Sequence, residues 1–116
     1  MTPERAKGQA ILDRLATAYA GRPGVDRAPM FGSVGLRHKE RFFAFVGRNG
    51  ALVVKVPESL AAELVASGRA TAIKAGLHAT REWVGLPLPA DGRTDAWAAA
   101  LAQAYEFAMK GSAVPA

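Results

Sequence analysis

The order of apolar and polar positions divides the chain into helical and extended stretches. Leu12, Leu15, Ala16 and Tyr19 follow the i, i+3, i+4, i+7 spacing of one buried helix face, with Ile11 beside them. Thr2-Pro3-Glu4 opens that helix with a hydroxyl N-cap, proline at the first helical position and an acid in the first turn. Gly21-Arg22-Pro23-Gly24 stops it, and Gly8 weakens its first turns.

Between residues 27 and 56 the signal changes to strands. Asn49-Gly50 is a strong hairpin signal, because both central residues of a type I′ turn need positive φ. A two-residue turn there pairs Phe45 with Val54 and Phe43 with Val56. Leu52 lies on their face, and Phe42, Ala44, Val46, Val53 and Lys55 lie on the other. A second turn at Lys39-Glu40 pairs Leu36 with Phe43 and Val34 with Phe45. The two turns agree on one apolar face, which predicts a three-stranded antiparallel meander. Lys-Glu is poor chemistry for a primed turn, so a longer loop that includes His38 or Arg41 stands as the alternative.

Pro57-Glu58 opens a short helix to about Ser67, with Leu60 and Leu64 one turn apart and Gly68 as its stop. A weak strand falls at residues 70–76 around Ile73. A better one covers residues 82–88, where Val84, Leu86 and Leu88 alternate with Trp83 and Gly85. Pro87 and Pro89 confine it to an edge or end it early. A last helix starts near Asp91 or Thr94, buries Trp97, Leu101, Ala104, Tyr105 and Ala108, and ends at Lys110-Gly111. Phe107 and Met109 are apolar enough to reach the first helix or a second subunit. The order α-β-β-β-α-β-β-α predicts one two-layer α+β domain over residues 1–116, with an antiparallel sheet, an ordered core at 4–110 and a frayed tail at 112–116.

The 116 residues and 12.2 kDa suit a single domain. The absence of cysteine removes disulfides, thiolate metal sites and cysteine nucleophiles, and fits a cytoplasmic protein. No apolar run approaches the ~20 residues of a membrane span, and the N-terminus lacks the apolar core of a signal peptide. Neither a membrane nor a secretory role is expected. The net charge is +5. Residues 1–55 hold ten Lys/Arg against four acids, whereas residues 56–116 hold five against six. The base belongs to the first half.

Arg37, Lys39 and Arg41 gather with His38 at the first hairpin tip, and Arg48 stands beside the second turn. With Phe42 and Lys55 they form the candidate interaction surface. Adjacent tips of a meander lie at opposite ends of the sheet, so these cations are not expected to make one patch, although Arg37 and Lys55 can share a solvent face. The surface reads as a solvated rim that protects a sheet edge, or as a site for nucleic-acid phosphates with Phe42 as its stacking ring. His38 and His78 lie in loops or strand ends with no ligand-spaced neighbour, and read as solvent-exposed polar residues. Glu82 reads as the ion-pair partner of Arg81 or Lys74. No serine sits in a Gly-x-Ser-x-Gly elbow, and Gly32-x-x-Gly35 lacks the Gly-Lys-Ser/Thr ending of a phosphate loop. Met30 and Phe31 read as core, with Gly32 and Gly35 allowing a bulge or bend. No catalytic group, metal or cofactor is expected.

Met30-Phe31-Gly32-Ser33-Val34-Gly35-Leu36, then Phe42-Phe43-Ala44, then the stretch from Gly50 to Val56 closing on Lys55-Val56, resemble the TfoX N-terminal domain family in order and spacing. Arg81-Glu82-Trp83-Val84 is similar to a variant found in some relatives. The resemblance spans roughly residues 4–110. It implies an α+β fold similar to that of type III secretion chaperones, in which dimers are common, and a bacterial protein related to regulators of DNA-uptake competence. The full-length regulators continue into a second, helical domain, to which these 116 residues have no counterpart. Together these readings predict a non-enzymatic regulatory or protein-interaction domain, homodimeric, with an unidentified protein partner. Nucleic-acid binding through the basic first half is the alternative.

Overall fold

The computed structural model describes residues 2–30, 32–75 and 78–113. Helix α1 (Pro3–Ala16) starts as its signal predicts: the Thr2 hydroxyl accepts from the Arg5 N–H at 3.1 Å. A short 3-10 turn carries the chain to Tyr19. Strands β1 (Val25–Met30), β2 (Ser33–His38), β3 (Arg41–Val46) and β4 (Leu52–Lys55) then run as antiparallel neighbours. Helix α2 (Glu58–Ala66), strands β5 (Thr71–Ala75) and β6 (His78–Leu86), and helix α3 (Asp95–Ala113) complete the fold. The sheet order is β1-β2-β3-β4-β6-β5, with every pair antiparallel. The α+β class and the antiparallel sheet agree with expectation. The order contains one more strand, the edge strand β1.

One core cluster joins the three helices to one sheet face. Leu12 and Ala16 of α1, Ala61 of α2, and Trp97, Leu101, Ala104 and Tyr105 of α3 pack on Leu36, Ala44, Val46, Leu52, Val54, Val84 and Leu86. The Trp97 indole N–H donates to the Pro87 carbonyl at 2.9 Å, which satisfies the polar atom of a core ring. β6 stops at Leu86, just before Pro87, and is an interior strand rather than an edge. α3 continues past Gly111 to Ala113. Residues 114–116 of the expected tail lie outside the described residues.

The meander departs from its expected register. The β3–β4 connection is a three-residue loop, closed by Gly47 N–H to the Ala51 carbonyl (2.8 Å) and Gly50 N–H to the Gly47 carbonyl (3.0 Å), with Gly50 at φ 85°. Val46 therefore pairs with Leu52, Phe45 with Val53 and Ala44 with Val54, one residue from the pairing a two-residue Asn49-Gly50 turn would set. Ala44 and Val46 face the core, and Phe45 is turned to the other side. Phe43 is buried all the same. The β2–β3 pairing jumps from Leu36↔Ala44 to Arg37↔Phe42, so Phe43 is the extra residue of a bulge. Val34, expected on the core face, is 42% exposed.

The Lys39-Glu40 turn forms as a two-residue turn against its chemistry. His38 pairs with Arg41, and both turn residues hold left-handed backbone, φ 50° and 69°. Such conformations cost about 1–2 kcal/mol for each L-residue with a side chain. The Lys39 N–H is anchored on the Gly24 carbonyl at 2.8 Å. Gly8 has a packing reason for its place in α1: a Cβ there would collide with the Gly50 carbonyl, because the helix rests on the β3–β4 loop.

A buried polar side chain inside this framework carries no signal in the sequence. The Gln9 carboxamide oxygen accepts from the Val34 N–H (3.0 Å) and the Ser33 hydroxyl (2.8 Å), and its NH2 donates to the Val34 carbonyl (3.0 Å) and to Asp13 (2.8 Å). The Ser33 hydroxyl in turn accepts from the Val46 N–H at 3.0 Å. A helix side chain thus serves as a short strand partner for Val34.

Candidate functional site

The face of the sheet opposite the helices is set by the same ladders. Arg37, Phe42, Phe45, Val53, Trp83 and Gly85 alternate with the core-facing residues and share this side. No described helix covers it: Val53 is 5% exposed but stands outside the core cluster. Its shelter is local. The Phe45 and Trp83 rings lie 5.7 Å apart on neighbouring positions, and both are half-buried. The Phe42 ring lies over Gly35, where a Cβ would come within 3.0 Å of it. The Ile73 side chain lies over Gly85 in the same way, at 3.2 Å from an added Cβ. Gly35 is therefore a seat for an aromatic ring, and the bulge expected near it is at Phe43 instead. The result is an apolar strip across β3, β4, β6 and β5.

Charges border the strip. Arg37 donates to both carboxylate oxygens of Asp26 on β1, at 2.9 Å through Nε, and its guanidinium lies 5.8 Å from the Phe42 ring centre. That hydrogen bonding holds the Asp26 carboxyl below the usual carboxylate range and raises Arg37. Lys55, register partner of Trp83, has its Nζ 4.0 Å from Glu82. Glu82 thus faces Lys55, whereas Arg81 approaches Glu58 at 3.8 Å.

A cleft of about 100 Å³ opens at the end of the sheet beneath the Lys39-Glu40 turn. Arg41, Phe42 and Lys55, three of the expected surface residues, line it together, and Phe43, Glu82 and Phe107 join them. His38 also reaches it. Expected in solvent, His38 is only 6% exposed, with its ring against Gly24 and 6.4 Å from the Tyr105 ring. The other expected residues lie elsewhere. Lys39 is exposed on the turn. Arg48 sits beyond the far end of β3, about 17 Å away at ordinary strand rise, where its carbonyl accepts from the Thr2 hydroxyl at 2.8 Å. Met30 is half-buried on the edge strand rather than in the core, and Gly32 turns the chain at φ 84°. Phe31 and the His78 side chain lie outside the described residues.

Among the described residues no three His, Asp or Glu side chains come together as a metal site. None of the described helices is long and apolar enough to cross a membrane. Compared with protein-family models, curated proteins and solved structures, the chain matches none. The likeness to the TfoX N-terminal family rests on the quoted sequence motifs.

Proposed function

We propose that this chain is a non-enzymatic interaction domain of the TfoX N-terminal type, which recognises a protein partner, first of all a second copy of itself, through the helix-free face of its sheet. The observation that carries this reading is the half-buried Phe45–Trp83 pair beside buried Val53, on a side that no described helix covers. A strip of rings rimmed by charge has the make-up of an interface core within a polar border. The rim holds both signs, Arg37 with Asp26 and Lys55 with Glu82, so two copies related by a two-fold axis need not oppose like charges.

Trp83 supplies the test. Of the two tryptophans, Trp97 is 1% exposed and Trp83 is half-buried. Acrylamide quenching of the accessible tryptophan is expected to fall as protein rises from about 1 to about 100 μM, a range that reveals micromolar association. Quenching unchanged over that range counts against self-association through this face.

The second reading is nucleic-acid binding by the basic first half. Phe45 and Trp83 favour it as stacking rings beside Phe42. It ranks lower because Arg27 and Arg37 are engaged with Asp13 and Asp26. Binding of a single-stranded oligonucleotide that weakens steeply with salt would promote it.

A further inference from the structure

The cleft lies at the end of the sheet, where residues of both faces meet. Phe42, opposite Arg37, comes from the helix-free face and Phe43 from the core face, and both line it. Just before them in the chain, the left-handed Lys39-Glu40 turn sets His38 opposite Arg41, and both of these also reach the cleft. Backbone held in sparsely populated conformations gathers at binding sites, where the surrounding structure maintains it for a purpose beyond packing.

The chemistry of the lining selects an occupant. Phe42, Phe43 and Phe107 make an aromatic wall. Arg41 makes no ion pair among the described residues, and Lys55 stands 4.0 Å from Glu82, a loose pairing that leaves ammonium hydrogens for another acceptor. Arg41 and Lys55 against Glu82 leave one net positive charge at the rim, which favours a monoanion over a neutral ligand of the same shape and disfavours a cation. At about 100 Å³ the cleft is smaller than the ~150 Å³ closed cavity that takes benzene, but it opens to solvent, so a ring can seat against the phenylalanines with its polar end at the rim.

We propose that the cleft binds a small carboxylic acid with an aromatic or branched apolar body, its ring or branch against the phenylalanines and its carboxylate between Arg41 and Lys55. The cleft borders the helix-free sheet face and shares Phe42, Lys55 and Glu82 with it, but ligand binding there does not require self-association and is read separately from it.

Benzoate and its neutral isostere benzamide are the probes, titrated into the isotopically labelled full chain and followed by amide chemical shifts. Benzoate is expected to saturate with a dissociation constant on the order of 1 mM, as nine non-hydrogen atoms at modest efficiency allow. Its shifts should centre on residues 38, 41–43, 55, 82 and 107–108. Benzamide should bind at least about tenfold more weakly, and Arg41→Gln or Lys55→Gln should each weaken benzoate about threefold or more, as loss of a charged hydrogen-bond partner implies. Both variants change exposed or half-exposed side chains, and their unperturbed distant shifts serve as the folding control. No saturable shift at about 20 mM benzoate, equal binding of benzamide, shifts centred elsewhere, or indifference to both variants would each overturn the proposal.

Discussion

Gln9 holds Val34 by both of its backbone groups and so ties the first helix to the second strand. In the sequence it is one polar position on a helix, with no signal that a strand would lean on it. Gln9→Leu removes the acceptor from both the Val34 N–H and the Ser33 hydroxyl, and urea unfolding should show a loss of about 2–3 kcal/mol. Tyr19 offers a second check at the same scale. Its ring packs tilted against Tyr105, with centres 5.0 Å apart, and the Arg22 guanidinium lies 5.0 Å from one ring centre and 4.9 Å from the other. Burial pushes the Tyr19 hydroxyl above its ordinary value, and the nearby Arg22 charge only partly opposes this. The folded state then keeps a proton that the unfolded state releases, so this contribution is complete below about pH 10 and declines as pH rises through the folded value. Thermal melts should fall as pH rises above about 10, and Tyr19→Phe should flatten that fall.

At the scale of elements, the helices were the legible part. Thr2-Pro3, the Leu60/Leu64 spacing and the Trp97/Leu101/Tyr105 stripe each mark a segment whose burial depends on its own periodicity. Strands depend on partners, so their register is not carried by their own periodicity. β1 escaped notice because Asp26, Arg27 and Pro29 give it neither alternation nor interior character, and an edge strand needs neither. β4 was oriented correctly, with Leu52, Val54 and Val56 in the core. β3 was inverted beyond its first residues, because one additional loop residue at Gly50 shifts the register and one bulged residue at Phe43 shifts it again. The Lys39-Glu40 turn tests the strain assigned to this meander. Replacing it with Asn-Gly supplies residues that accept positive φ, and should stabilise the fold by about 1 kcal/mol after the added flexibility of glycine in the unfolded chain is subtracted. A melting temperature unchanged or lowered would show that the turn carries no such strain.

For the whole molecule, the charge excess of the first half proves less concentrated than its count. Arg27 and Arg37 meet acids of the same half, and Arg48 stands at the other end of the sheet from Arg41. Half of the candidate surface, Arg41, Phe42 and Lys55, does come together, but around a cleft at the end of the sheet rather than on one open face. The helix-free strip is hidden in the sequence for a related reason: a two-residue turn at Asn49-Gly50 would put Phe45 on the core face, away from Trp83. The corrected register moves Phe45 beside Trp83 and gives the molecule an apolar face of its own. Sedimentation equilibrium of wild type beside Trp83→Glu, with circular dichroism to confirm that the variant is folded, tests the role of that face most directly. Wild type is expected at about 24 kDa, twice the 12.2 kDa chain, and the variant at the single-chain mass. A wild-type protein that stays at the single-chain mass up to about 100 μM, or a variant that dimerises as well as wild type, would contradict self-association through the sheet face.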